Sequence, residues 1–161
     1  MDSPTNRTSD PVGVAGLPDS PPLSVVQTSW TGTDKSLLVY NLSTTPPGIA
    51  YRYYISLFFA ELDPNVNASG LRVFDGTVNG NLLFQGLDVY EQVGQYGVIE
   101  SYSSAPFGPY ADYVVINLTS TASSVYPPSI AAAEIIRLFD NPMVPATSSV
   151  DSKTSSCSDN P

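Results

Sequence analysis

Residues 51–62 read YRYYISLFFAEL, and they form the strongest structural signal in the chain. Apolar side chains occupy both alternating faces of this stretch, with Tyr53, Ile55, Leu57 and Phe59 on one face and Tyr54, Phe58 and Ala60 on the other. Aromatic and β-branched residues favour strands. A strand that is apolar on both faces is typical of a sheet that is covered on both sides. The stretch therefore predicts a central, buried strand.

Shorter strand signals lie on both sides of this stretch. The pair Asn79-Gly80 between two apolar runs predicts a hairpin, because both turn positions need a positive φ. Residues 112–119 alternate, with Val114, Ile116 and Leu118 facing inward. Strands are also predicted over 23–30, 87–93 and 130–139, with a helix beginning at 131–134 as the alternative for the last of these. Pro106, Gly108 and Pro109 predict a loop over 103–110. Roughly eight or nine short strands predict an all-β fold, a two-sheet antiparallel β-sandwich or jelly roll.

The two ends of the chain differ from the middle. Residues 1–22 are rich in Ser, Pro, Asp and Gly and predict a disordered leader, and residues 141–161 predict a disordered Ser/Thr/Pro-rich tail or linker. The folded unit is therefore expected over 23–140. The first residues lack the basic start and apolar core of a signal peptide. No apolar run approaches the ~20 residues of a membrane span, so we expect no direct membrane insertion by this chain.

Composition excludes several classes of function. Only 13% of the 161 residues are charged, and six Lys and Arg against fifteen Asp and Glu give a net charge of −9. Because the six basic residues are scattered, neither nucleic acid nor an anionic membrane is an expected partner. The absence of His excludes His-based triads and His-ligated zinc. The single Cys157 forms no internal disulfide, its role is left open, and no cofactor is predicted.

Two sets of acidic residues are candidate sites. Asp63, Asp75 and Asp88 lack the spacing of a calcium loop, so solvated surface acids are the preferred interpretation and no metal site is predicted. Glu61 and Glu134 could be the carboxylate pair of a glycosidase. Both lie within predicted strands, which favours a structural role as hydrogen-bond acceptors, so no catalytic residue is predicted.

Four pieces of the sequence occur in the order of a known family. They are PPLSVVQT at 21–28, YISLFFAEL at 54–62, FDGTVNG at 74–80 and PPSIAAAEI at 127–135. Together they make the segment 21–139 resemble the second half of the malectin-like extracellular region of plant receptor-like kinases. The chain departs from the family pattern at Gly76, where an aliphatic residue is usual, and at Ala131, where Asn is usual. Gly76 is therefore expected to leave a gap in the core.

The resemblance implies a non-catalytic recognition module at the cell surface. Its ligand would be cell-wall-type carbohydrate, or a secreted peptide with a co-receptor protein, and the two remain equally weighted here. Full-length relatives are anchored in the membrane by a helix and carry a kinase, and this sequence contains neither the membrane helix nor the kinase. The alternatives are a glycoside-active enzyme and a structural fragment with no ligand of its own.

Four aromatic residues are candidates for ligand binding, and three asparagines are candidates for glycosylation. Tyr96, Tyr102, Phe107 and Tyr110 lie in or beside the Gly- and Pro-containing stretch, where Tyr could stack on a sugar and bond its hydroxyls. The alternative is that these rings pack the edge of the sandwich. Sequons for N-glycosylation begin at Asn41, Asn67 and Asn117, with a further one at Asn6 in the expected leader.

Overall fold

A computed structural model of the chain describes residues 4–7, 21–43, 50–110 and 113–138. Strands dominate this part, and the helices in it are short. The elements in chain order are β1 (Pro4–Arg7), α1 (Leu23–Val26), β2 (Thr28–Thr31), β3 (Ser36–Ser43), β4 (Tyr51–Ala60), β5 (Phe74–Val78), β6 (Asn81–Leu87), α2 (Val89–Val93), β7 (Val98–Tyr102), β8 (Phe107–Tyr110), β9 (Tyr113–Ser120), β10 (Ser129–Ile130) and β11 (Ala132–Leu138). The tail predicted over 141–161, with Cys157, lies outside the described residues.

Two antiparallel sheets build the sandwich. One sheet has the order β11-β4-β7, with β8 also paired to β4, and is called the β4 sheet below. The other has the order β3-β9-β5-β6 and is called the β9 sheet. A third, smaller sheet joins β1, β2 and β10. The prediction of an all-β fold of packed antiparallel sheets is confirmed, with the small third sheet as an addition.

The main core lies between the β4 sheet and the β9 sheet. The odd-numbered side chains of β4 fill it, and the inward residues of β5 and β9 complete it. These buried residues are Tyr53, Ile55, Leu57, Phe59, Phe74, Val78, Val114, Ile116 and Leu118. The alternation of strand residues therefore predicted correctly which faces of β4 and β9 turn inward.

The predicted hairpin is also present, and it shows how the core is filled. Asn79 and Gly80 have φ of 46° and 80°, and they connect β5 to β6. The ring of Phe84 on β6 lies directly over Gly76 and occupies the volume that a side chain at residue 76 would need. The expected gap at Gly76 is therefore wrong, because a neighbouring strand supplies the missing apolar volume.

The second face of β4 is covered only in part. Phe58 and Ala60 are buried in a second small cluster with Val26 of α1, while Tyr54 is 39% exposed. The prediction that both faces of β4 are buried is therefore correct at the Phe58–Ala60 end of the strand and wrong at Tyr54. The outer face of the β4 sheet beyond α1 stays open to solvent in the described part of the chain.

Four local predictions differ from the structure. Residues 23–30 form α1 followed by β2. Residues 89–93 form α2, because Asp88 accepts a hydrogen bond from the Glu91 backbone N–H at 3.0 Å and caps that helix. Residues 107–110 of the predicted loop form β8, which pairs with the start of β4. Residues 4–7 of the predicted leader form β1, which pairs with β2. The differences at α2, β8 and β1 depend on a cap or on a pairing partner far along the chain.

Candidate functional site

The four aromatic residues predicted to bind ligand lie in different surroundings. Phe107 and Tyr110 of β8 are partly buried against the main core, and the Tyr110 hydroxyl accepts a hydrogen bond from Asn81 Nδ2 at 3.2 Å. Tyr96 packs on the second cluster beside Val98. Tyr102 pairs with Ser56 in β7, and its side chain lies outside the described residues. Their role in binding stays a prediction, and the three described rings also pack the edge of the sandwich.

The open apolar surface lies elsewhere, on the outer face of the β4 sheet. Val25 is 39% exposed, Tyr54 39% and Ile136 48%. Ile136 pairs with Tyr54 across β11 and β4, so these two side chains share one face. The sequence did not predict this surface, because apolar residues at the even-numbered positions of β4 predicted that this face is fully buried. No pattern within β4 itself indicates that α1 covers only one end of that face.

A groove lies between α1 and β11 on this face, with a volume of about 520 Å³. Phe58 of β4 is apolar and buried, and it lines the groove together with residues from α1, from the segment before it, and from β11. The other lining residues are Pro21, Pro22, Val25, Ala132, Ala133, Glu134 and Ile135. The groove is thus mostly apolar and has one carboxylate in its lining.

Two carboxylates lie on the outer face of the β4 sheet, on the strands to either side of β4. Glu134 on β11 is exposed and pairs with Ser56, while Glu100 on β7 pairs with Phe58. Glu100 Oε2 is buried and has no hydrogen-bond partner within the described part of the chain. Both acids lie on the outer face by register, and Glu134 is the one of the two that lines the groove.

Glu61 has a structural role in the described residues. Its carboxylate is 1% exposed and accepts two hydrogen bonds from Arg72 Nη1, at 2.8 and 2.9 Å, and one from the Asp63 backbone N–H at 3.0 Å. Arg72 Nη1 also donates to Ser129 Oγ at 3.0 Å. Burial raises the pKa of the Glu61 carboxyl above its ordinary value, and this outweighs the opposite effect of the Arg72 guanidinium.

The proposed carboxylate pair of a glycosidase is not assembled. Glu134 pairs with Ser56, which is five residues before Glu61 along the chain. At the rise of a strand this is a separation of roughly 17 Å, which exceeds the spacing of about 5–9.5 Å that glycosidases use. Glu61 is also enclosed by its Arg72 partner, so it cannot reach a bound sugar.

The three aspartates that were candidate metal ligands make contacts that stabilise the fold. Asp88 is 4% exposed and caps α2, so its interpretation as a solvated surface acid is wrong. Asp75 Oδ1 accepts from the Gly86 backbone N–H at 2.7 Å, and Asp63 contacts Arg72 Nη2 at 3.4 Å. Among the residues that the structure describes, no three His, Cys, Asp or Glu side chains are grouped as metal ligands would be.

The three predicted glycosylation sites differ in accessibility. Asn67 lies in the exposed turn between β4 and β5, and Ala68 and Ser69 beside it are exposed as well. Asn117 is only partly exposed and lies in β9 between β3 and β5. Asn41 lies in β3 opposite Val115, and its side chain is outside the described residues.

Comparison with known proteins points to one family. A family model described as Malectin-like domain matches residues 3–138. Receptor-like protein 4 of Arabidopsis thaliana is 33% identical over 78 residues, which are 48% of this chain and 12% of that protein. The chain thus spans about an eighth of the curated relative that it matches. Within the described residues, no helix is both long and apolar enough to cross a membrane.

Solved structures share the fold at low sequence identity. The extracellular domain of ANXUR1 from Arabidopsis thaliana has a TM-score of 0.68 at 14% identity and covers 84% of this chain and 38% of that one. The structure of the plant peptide RALF23 in complex with FER and LLG2 has a TM-score of 0.62 at 18% identity, and the match covers 86% of this chain and 39% of that one. A Bacteroides uniformis β-glucuronidase has a TM-score of 0.59 at 13% sequence identity, and the match covers 14% of that protein. At these identities the likeness extends to the fold alone.

Proposed function

Because the chain belongs to the malectin-like domain family, we propose that it is a non-catalytic recognition module of an extracellular receptor that binds a secreted peptide with a partner protein. One structure of the same fold, that of FER, contains the plant peptide RALF23 and the protein LLG2. Carbohydrate of the cell-wall type is the alternative ligand. The family match and the ectodomain neighbours support an extracellular place for the module.

The observation that favours a peptide is the placement of the exposed apolar surface. A sugar site needs an accessible ring with polar groups around it, whereas Tyr96, Phe107 and Tyr110 are partly buried in packing. Of the open apolar side chains, Val25 lines the groove beside the edge strand β11, and Ile136 lies on β11 itself. Exposed apolar patches of this kind typically mark surfaces that bind proteins or peptides.

A titration distinguishes the two ligand classes. The protein is titrated with RALF23, with and without LLG2, at two ionic strengths, and is applied in parallel to an array of cell-wall oligosaccharides. We expect a peptide to bind and oligosaccharides to give no signal. Because the chain carries −9, a cationic peptide should bind several-fold more weakly at the higher ionic strength. Salt-indifferent saccharide binding with no peptide response would contradict the proposal.

We also propose that, of the sequons at Asn41, Asn67 and Asn117, the one at Asn67 carries an N-linked glycan. Its turn is exposed, so an added glycan costs no packing, whereas Asn117 lies in a strand with neighbours on both sides. Secreted from a eukaryotic host, the protein should show a shift in electrophoretic mobility that a peptide glycosidase removes.

Two variants assign that shift. Asn67→Gln and Ser69→Ala both destroy the same sequon and should remove the shift, and Asn117→Gln is the matched control in a strand. A shift that persists in both turn variants and disappears in Asn117→Gln would assign the glycan to β9 and contradict the proposal.

A further inference from the structure

We propose that the groove between α1 and β11 binds an extended cationic peptide segment, which adds as a further strand along β11. This inference rests on the proposed function and deepens it, because it names the surface and the chemistry of the partner. Three observations carry it: the position of β11 in its sheet, the apolar lining of the groove, and the carboxylates on this face.

The first observation is that β11 is an edge strand. It stands at the end of the order β11-β4-β7 and pairs with β4 from Ala132 to Leu138, with no second strand beside it in the described part of the chain. An edge strand presents a row of backbone N–H and C=O groups, which can pair with an incoming extended chain. Strand addition of this kind is a recurring way for proteins to bind peptides.

The second observation is the groove beside that edge. Its volume of about 520 Å³ lies within the range of about 300–1,000 Å³ that binding pockets have. On the outer face the groove is lined by Pro22 and Val25 together with Phe58 and Ala132, whereas Ala133 and Ile135 pair with the inward residues Leu57 and Ile55 and so belong to the opposite face of β11. Because side chains alternate along a strand, one half of the residues of an added strand would lie beside Glu134 on the outer face, and the other half beside Ala133 and Ile135. Apolar residues at alternating positions of the peptide are therefore expected.

The third observation is the sign of the charge. Glu134 is the charged residue of the groove lining, and Glu100 lies across β4 on the same face by register. The basic residues of β11 and β4 lie towards the opposite end: Arg137 rests on the ring of Tyr51 at 4.7 Å, and Arg52 pairs with Leu138. A peptide with Arg or Lys beside Glu134 would complement this charge and be drawn to a chain of net charge −9.

The test uses two synthetic peptides of about eight residues, a length that can pair along one strand. One alternates Arg with Val and the other alternates Glu with Val. We expect the Arg–Val peptide to bind and the Glu–Val peptide not to bind. Hydrogen exchange should then slow at alternate amides of β11, those that point away from β4, since these would gain partners in the added strand.

Matched variants separate the groove from general charge attraction. Glu134→Gln should weaken binding of the Arg–Val peptide about three- to fivefold, the upper range for an ion pair at an exposed position. Glu91→Gln removes the same charge from an exposed position on α2 and should change binding less than twofold. Val25→Ser should weaken binding, while Val93→Ser, at a matched exposure of 38% on α2, should not.

The outcomes are distinct. Equal losses in Glu134→Gln and Glu91→Gln, or unchanged exchange along β11, would overturn the inference. If RALF23 binds the protein and every groove variant equally well, this inference fails while the proposed function stands. If the Arg–Val peptide behaves as expected but no secreted peptide binds, the groove is confirmed as a cationic peptide site and the proposed function fails.

Discussion

Arg72→Met should lower the free energy of unfolding by about 3–5 kcal/mol at neutral pH, since it leaves a buried carboxylate without its partner. Arg72 is 2% exposed and donates to both oxygens of Glu61. Methionine fills a similar apolar volume but offers neither charge nor donor. Urea unfolding of the wild type and the variant, followed by circular dichroism, measures the difference.

The pH dependence of this loss identifies its cause. Burial already raises the pKa of Glu61 in the folded protein, and removing Arg72 should raise it further because the guanidinium acts in the opposite direction. An acid whose pKa is raised on folding contributes most stability below its unfolded pKa and loses that contribution as the pH rises through the folded pKa. The difference between variant and wild type should therefore be small near pH 4 and large at pH 7.

Two further variants serve as controls for the ion pair. The double variant Glu61→Gln/Arg72→Met should recover part of the loss at pH 7, because no charge is then left buried. A residual loss should remain at every pH, since the hydrogen bond to Ser129 Oγ is also removed. A loss of equal size at pH 4 and pH 7 would contradict the charge explanation and leave only packing.

Gly76→Val, which restores the residue type usual in the family, should destabilise this chain by about 1–3 kcal/mol. The Phe84 ring occupies the space that the new side chain needs, and a ring at that site already packs on Phe59 and Phe74 at centroid distances of 5.5 and 6.0 Å. The valine must displace this ring or strain the backbone of β5. Thermal or urea unfolding measures the loss.

A double-mutant cycle tests this account of the core. Phe84→Ala alone should destabilise the protein because it leaves a cavity above Gly76. Gly76→Val/Phe84→Ala should be more stable than the sum of the two changes by about 1–2 kcal/mol, since the valine then fills the space that the ring left. Additive effects of the two changes would show that the two residues do not share that volume.

The sequence determined those parts of the fold that depend on neighbours along the chain. The apolar alternation in β4 and β9 predicted which side chains fill the core, because successive side chains of a strand point to opposite faces. Asn79-Gly80 predicted the β5–β6 hairpin, because these residues accept positive φ. The order of four family motifs predicted the malectin-like domain, which the match over residues 3–138 confirms.

Tertiary structure alone decided the features that join distant residues. Phe84 fills the space above Gly76, and Arg72 neutralises Glu61, although neither pair is marked by any local pattern. The groove exists because α1 covers Phe58 but stops short of Tyr54. Packing between elements is set by volume and charge in three dimensions, and local residue preferences do not encode which element covers which face. For that reason the sequence predicted the scaffold, and the proposed binding groove emerged only from the structure.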